Sequence, residues 1–174
     1  MTSKQLTVTA AGVFALGLLS CHSAFAGGAF KAHLSGFQEV PALSSPASGH
    51  FHARVSHGSI DYTLFYRDLD SGVLFAHIHF GQRAVNGGVS AFLCSNAPAP
   101  TSTPACPQFG GKVSGTLTAD DVVGPAGQGI DPGEFAELVD AIQAGATYVN
   151  VHTNDFPPGE IRGQIGRGFG GYHD

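Results

Sequence analysis

The chain has 174 residues, enough for one domain or at most two small ones. Its 25 Gly and 10 Pro argue against a helical bundle, and its 43% hydrophobic residues exclude intrinsic disorder. A formal charge of −5 with only eight Lys plus Arg, and no basic cluster, lacks the footprint of a nucleic-acid binder.

The first element in chain order is a targeting segment. Lys4 supplies a positive start, Val8 to Leu19 is apolar and uncharged, and Ala24-Phe25-Ala26 is a small-x-small cleavage site. Residues 1–26 therefore read as a signal peptide. The apolar run is too short for a transmembrane span, which takes about 20 residues. Leu18-Leu19-Ser20-Cys21 resembles a bacterial lipobox, so a lipid anchor at Cys21 is the rival processing. Either route gives a periplasmic or secreted protein. Cleavage after Ala26 leaves two cysteines, Cys94 and Cys106, and an even pair in an oxidising compartment reads as a disulfide. The Pro-rich segment between them would be stapled at its base. A pair of thiolate metal ligands is the alternative.

From Ala29 onward, short alternating runs recur between turn signals. Strands are expected at Phe30–Leu34, Gly49–Ser56, Ile60–Tyr66, Val73–Phe80, Val89–Leu93, Lys112–Thr118, Ala146–Thr153 and Ile161–Ile165. The 73–80 run is nearly all apolar, which marks a strand buried on both faces. Phe51, Val55, Tyr62, Leu64, Ile78, Val149, Val151 and Ile161 are the expected core. One helix is expected at about 132–144, with Asp131 as N-cap, Pro132 at the first position and Gly145 as the stop. Phe135, Leu138, Val139 and Ile142 form its buried stripe, packed outside the strands. Thr118 and Asp121 mark a capped turn. The pattern is all-β: an antiparallel, Greek-key-like β-sandwich with one added α-helix. The domain runs over 27–165, with a Gly-rich flexible tail at 166–174.

Nine His against eight Lys plus Arg is the oddity of the composition. Residues two apart on a strand share a face, so His77 and His79 point the same way while Ile78 enters the core. His152 shares a face with Tyr148 and Asn150. If the two strands are neighbours, three imidazoles meet, a donor set that suits copper or zinc. A fourth position would hold water, His33 or Asp155. Two alternatives stand beside this reading: a half-exposed strand pair, and a hydrogen-bonded structural His152, with no metal in either. His50 and His52 form a second pair on a polar strand face shared with Arg54, whose charge disfavours a dication. Glu160 and Arg162 share a face, as a surface pair or as outer partners of a ligating histidine. No nucleophile motif and no phosphate loop occurs.

Three segments together resemble the CHRD domain. They are Phe30-x-x-x-Leu34-Ser35-Gly36-x-Gln38-Glu39-Val40-Pro41, then Ala76-His77-Ile78-His79, then Tyr148–Thr153 with Pro158–Gln164. The resemblance covers roughly 30–165 and implies an extracytoplasmic β-sandwich of immunoglobulin-like shape, with no settled activity. The 94–106 loop and the 120–145 segment depart from it. A looser similarity, at the level of the strand histidines, is to Cu,Zn superoxide dismutases, without a counterpart of their zinc-binding loop. Two functions follow. One is a copper (or zinc) protein with redox or superoxide-dismutase-like activity, where Arg162 or Arg83 could steer an anion. The other is a non-catalytic binding module with structural histidines and an unidentified protein partner. A homo-oligomer stays open.

Overall fold

The computed structural model describes residues 27–100 and 102–168. The expected signal peptide, the Cys21 lipid-anchor site and residues 169–174 of the expected tail lie outside them. Among the described residues nine strands form: β1 (Gly28–Ser35), β2 (Ser48–Ser56), β3 (Ser59–Arg67), β4 (Val73–Phe80), β5 (Gly88–Ser95), β6 (Gly111–Leu117), β7 (Thr147–Thr153), β8 (Ile161–Gln164) and β9 (Gly166–Arg167). All eight expected strands are present. The ninth was not expected. Gly166 and Arg167 pair with Lys31 and Phe30, so the ladder runs past Ile165 into the start of the Gly-rich tail.

Strict alternation makes β1, β2 and β3 two-faced. Phe30, Ala32, Leu34, Phe51, Ala53, Val55, Ile60, Tyr62, Leu64 and Tyr66 go inward, and the residues between them face out. His57-Gly58 closes the β2–β3 hairpin with Gly58 at φ +79°, a region glycine enters without strain. The strands follow the order β5-β4-β7-β8-β1-β2-β3-β6, with every ladder antiparallel. The sandwich is thus one sheet rolled onto itself, nearly to a barrel. Its two ends approach: the Tyr62 hydroxyl on β3, beside the end strand β6, donates to the Leu93 carbonyl on the opposite end strand β5. The expected core positions all line one cluster of buried residues.

The helix α1 spans Phe135–Gln143, shorter at its start than expected. Gly133 stands at φ +89°, outside the right-handed helix, and breaks the chain there. Asp131 is therefore not the N-cap. It sits in a preceding turn, where its N–H donates to Glu134 Oε2 at 2.7 Å. Gly145, at φ +70°, ends the helix as expected. The stripe of Phe135, Leu138, Val139 and Ile142 is buried as expected, in one cluster with the strand core. Thr118 N donates to Asp121 Oδ2 at 2.9 Å, capping the short turn at Ala119–Asp121. A disulfide joins Cys94 at the end of β5 to Cys106. Among the described residues, no helix is long and apolar enough to cross a membrane.

Candidate metal centre

Strand β4 lies between β5 and β7, and this position builds the site. His77 faces Phe92 on one side and Asn150 on the other, while His152 sits opposite Phe75. Ala76 and Ile78 point into the core with Val149 and Val151. His77, His79 and His152 then emerge on the other face of the sheet. Their ring centroids lie 5.4 Å (His77–His79), 5.0 Å (His77–His152) and 5.6 Å (His79–His152) apart. Each offers one ring nitrogen within 4.8 Å of the other two. The three expected ligands are therefore brought together.

This face is covered, although two-faced strands often leave it to solvent. His77 is 4% exposed, His79 7% and His152 6%. Phe75 stacks on His77 at 4.7 Å, and Phe92 meets it edge-on at 4.4 Å. Two loops supply oxygens. His79 Nδ1 donates to the Gly87 carbonyl at 3.0 Å, and His152 Nδ1 donates to the Pro157 carbonyl at 2.9 Å. A carbonyl only accepts, so each Nδ1 carries the proton and each Nε2 presents a lone pair. Those two Nε2 atoms, and both ring nitrogens of His77, are buried without a hydrogen-bond partner.

Burial keeps the rings neutral. It drives His77 down from its ordinary 6.5 to about 2, helped by the neighbouring His152 and His79. His152 falls to about 4 for the same reason, against the Pro157 bond and with a push from His79. His79 is also lowered, chiefly by burial; its Gly87 bond opposes this and the Arg162 charge adds to it. Three neutral, converging, unpartnered imidazoles fit a borderline ion such as copper or zinc. The carbonyl bonds to Nδ1 are the kind of outer partner that orients a ligating histidine.

The other expected site residues lie elsewhere. His33 is exposed on β1 with its ring 4.1 Å from that of His50. Asp155 is exposed in the turn after β7. Among the described residues the donor group consists of the three histidines. Glu160 and Arg162 are both buried, so they are not a surface pair. Glu160 accepts from Ser45 Oγ, Asp70 N and Thr153 Oγ1 at 2.8, 3.0 and 2.8 Å. Arg162 donates to Asn86 Oδ1 at 3.0 Å and to the Val85 carbonyl at 2.8 Å. Neither touches a histidine of the trio. Arg162 acts one layer out: its guanidinium lies 3.7 Å from the Tyr148 ring centre, and Tyr148 stacks on His79 at 4.8 Å.

Sequence reading missed Glu39. Its Oε1 accepts from Asn150 Nδ2 at 2.6 Å, and burial pushes its carboxyl up to about 7, against the Asn150 bond and the Arg162 charge. Its place beside Gln38 in the opening motif was the one available signal.

The CHRD domain family matches residues 30–165. The chain belongs to that family. Comparison with curated proteins and with solved structures finds no match. The CHRD domain thus comprises the whole rolled sheet up to Ile165, with the histidine trio inside it.

Proposed function

We propose that this CHRD-domain protein is an extracytoplasmic copper-binding protein whose ligands are His77, His79 and His152. The observation that carries this reading is the set of four buried, unpartnered ring nitrogens. A buried polar group without a partner costs about 1–3 kcal/mol. A purely structural cluster would bear that penalty several times over, and an ion would engage three of the four, one from each ring. Copper ranks above zinc at such a site by intrinsic affinity order, with zinc the alternative. The Cys94–Cys106 bridge and the leader-like residues 1–26 support export, and the domain limits 27–165 go with it.

Copper, when bound, supplies one-electron chemistry, so turnover of a small oxygen species such as superoxide is the activity to assay. Arg162 is 2% exposed and held by Asn86, the Val85 carbonyl and the Tyr148 ring, so it positions Tyr148 rather than steering an anion. Arg83, exposed in the loop that carries Gly87, is the remaining cation for that role. The test is metal analysis of untagged protein purified from the periplasm, followed by copper and zinc titration of the metal-free form. One equivalent of tightly held metal, lost in His77→Ala, supports the reading. Absence of binding in both experiments overturns it and leaves a non-catalytic interaction module.

A further inference from the structure

A second pair of histidines meets on the outer face of the sheet, away from the buried trio. His33 on β1 and His50 on β2 stand directly opposite in the antiparallel register. Their ring centroids are 4.1 Å apart, edge to face. Both side chains are exposed, and neither ring is hydrogen-bonded within the described chain. They line a groove of about 400 Å³ with His52, Lys31, Gln164 and Arg167.

We propose that His33 and His50 form a second, solvent-open site for a borderline divalent cation, Cu(II) above all. The site is independent of the buried trio. Directly opposed residues of an antiparallel pair hold their Cβ atoms about 4.5–5.5 Å apart. Rotation of two exposed rings then brings one nitrogen of each to a shared ion at about 2.0–2.1 Å. Water fills the remaining positions, which suits the tetragonal preference of Cu(II), and affinity order places it above zinc and nickel.

No cation stands directly opposite His33 or His50, although Lys31 and Arg167 line the same groove and the Arg67 charge reaches His50. Arg54 is opposite Asp61, two positions beyond His52. Arg67 bridges Asp68 at 3.5 Å. Lys31 is opposite His52, which makes His52 the less suited third donor. The row through His33 and His50 continues to Phe65 and reaches a cation only at Lys112. In the other direction the register bracketed by Ser35↔Arg162 and Lys31↔Gly166 places His33 beside Gln164, then Tyr148 and His79. The two sites thus share one row of the sheet, three strand spacings or about 14 Å apart along it. No donor is common to both.

The experiment is a Cu(II) titration of the untagged full chain, read as bound copper after desalting and by electron paramagnetic resonance. Four proteins are compared: wild type, His77→Ala/His152→Ala, His33→Ala/His50→Ala and the quadruple variant. The quadruple variant should bind one equivalent less than His77→Ala/His152→Ala, and His33→Ala/His50→Ala one less than wild type. His52→Ala should leave the stoichiometry unchanged. Should the buried pair of substitutions unfold the protein, wild type against His33→Ala/His50→Ala carries the same readout, because those side chains are exposed. The loss reads the same whether or not the trio binds copper. Equal copper with and without His33 and His50 overturns the proposal.

Discussion

His79 holds the Gly87 carbonyl at 3.0 Å, and Gly87 N in turn donates to the Tyr148 hydroxyl at 3.2 Å. One residue, through its two flanking peptides, therefore fixes both the tautomer of His79, a proposed ligand, and the ring stacked upon it. A Cβ at Gly87 would lie 1.7 Å from the Phe80 carbonyl oxygen, so the loop must move to accept one. Gly87→Ala should displace the carbonyl and weaken metal binding about 10–100-fold, the usual loss for an outer partner of a ligating histidine. Gly127→Ala, where a Cβ meets nothing within 4 Å, is the control. Equal metal affinity in the two variants would show that this bond does not orient the ligand.

His77→Ala and His152→Ala should each abolish tight binding, while His50→Ala and His57→Ala should leave the buried site intact. His77→Leu makes a second point. Both His77 nitrogens are buried without partners. An apolar side chain of similar volume removes that penalty, so the metal-free variant should gain roughly 1–3 kcal/mol. Urea unfolding of the two metal-free proteins checks it. A loss of stability would mean that the packing of Phe75 and Phe92 on the imidazole outweighs desolvation.

Local pattern carried the strands, because alternation is a period-two signal that survives without knowledge of neighbours. It also carried the trio, since His77 and His79 must share a face and His152 falls on the polar face of β7. The rolled sheet was not legible, because the β4–β7 and β8–β1 pairings join segments far apart in the chain. Glu160 and Arg162 misled for the same reason. Charged residues are rarely buried unless satisfied. Besides Thr153, seven residues before Glu160, the partners are Ser45 and Asp70 for one and Val85 and Asn86 for the other, all far away in the chain. The helix start moved because Gly133 adopts a left-handed conformation, which no apolar stripe can signal.

The Cys94–Cys106 bridge closes a short loop whose base is also held by Asn96. That side chain donates to the Cys106 carbonyl at 3.0 Å and accepts from Cys106 N at 3.1 Å. Cys94→Ser/Cys106→Ser should lower stability by about 3 kcal/mol, the loop-closure value for this size. Wild type should release two additional thiols on reduction under denaturing conditions. Two free thiols from this pair before reduction would contradict the bridge.

Acid should destabilise the metal-free protein, and the sign follows from groups that oppose one another. His77 and His152 have native values of about 2 and about 4 against an ordinary 6.5, so only the unfolded chain takes up their protons as pH falls through 6.5. Their contribution is complete above that pH and declines toward 4, by about 1.4 kcal/mol per pH unit for each proton. Glu39 acts in reverse. Its native value of about 7 lies above the ordinary 4.5, so its contribution is complete below 4.5 and is lost as pH rises to 7. Between 4.5 and 6.5 two histidines act against one carboxyl, and His79, also lowered, adds to their side. Net stability should therefore fall as pH drops through this window. Glu39→Gln removes the opposing group and should steepen the fall, whereas His77→Leu should flatten it. Urea unfolding of metal-free protein at half-unit pH steps measures all three slopes. A wild-type stability that stays level from pH 6.5 to 4.5, or slopes unchanged by either substitution, would mean that these buried groups are not the ones that titrate on unfolding.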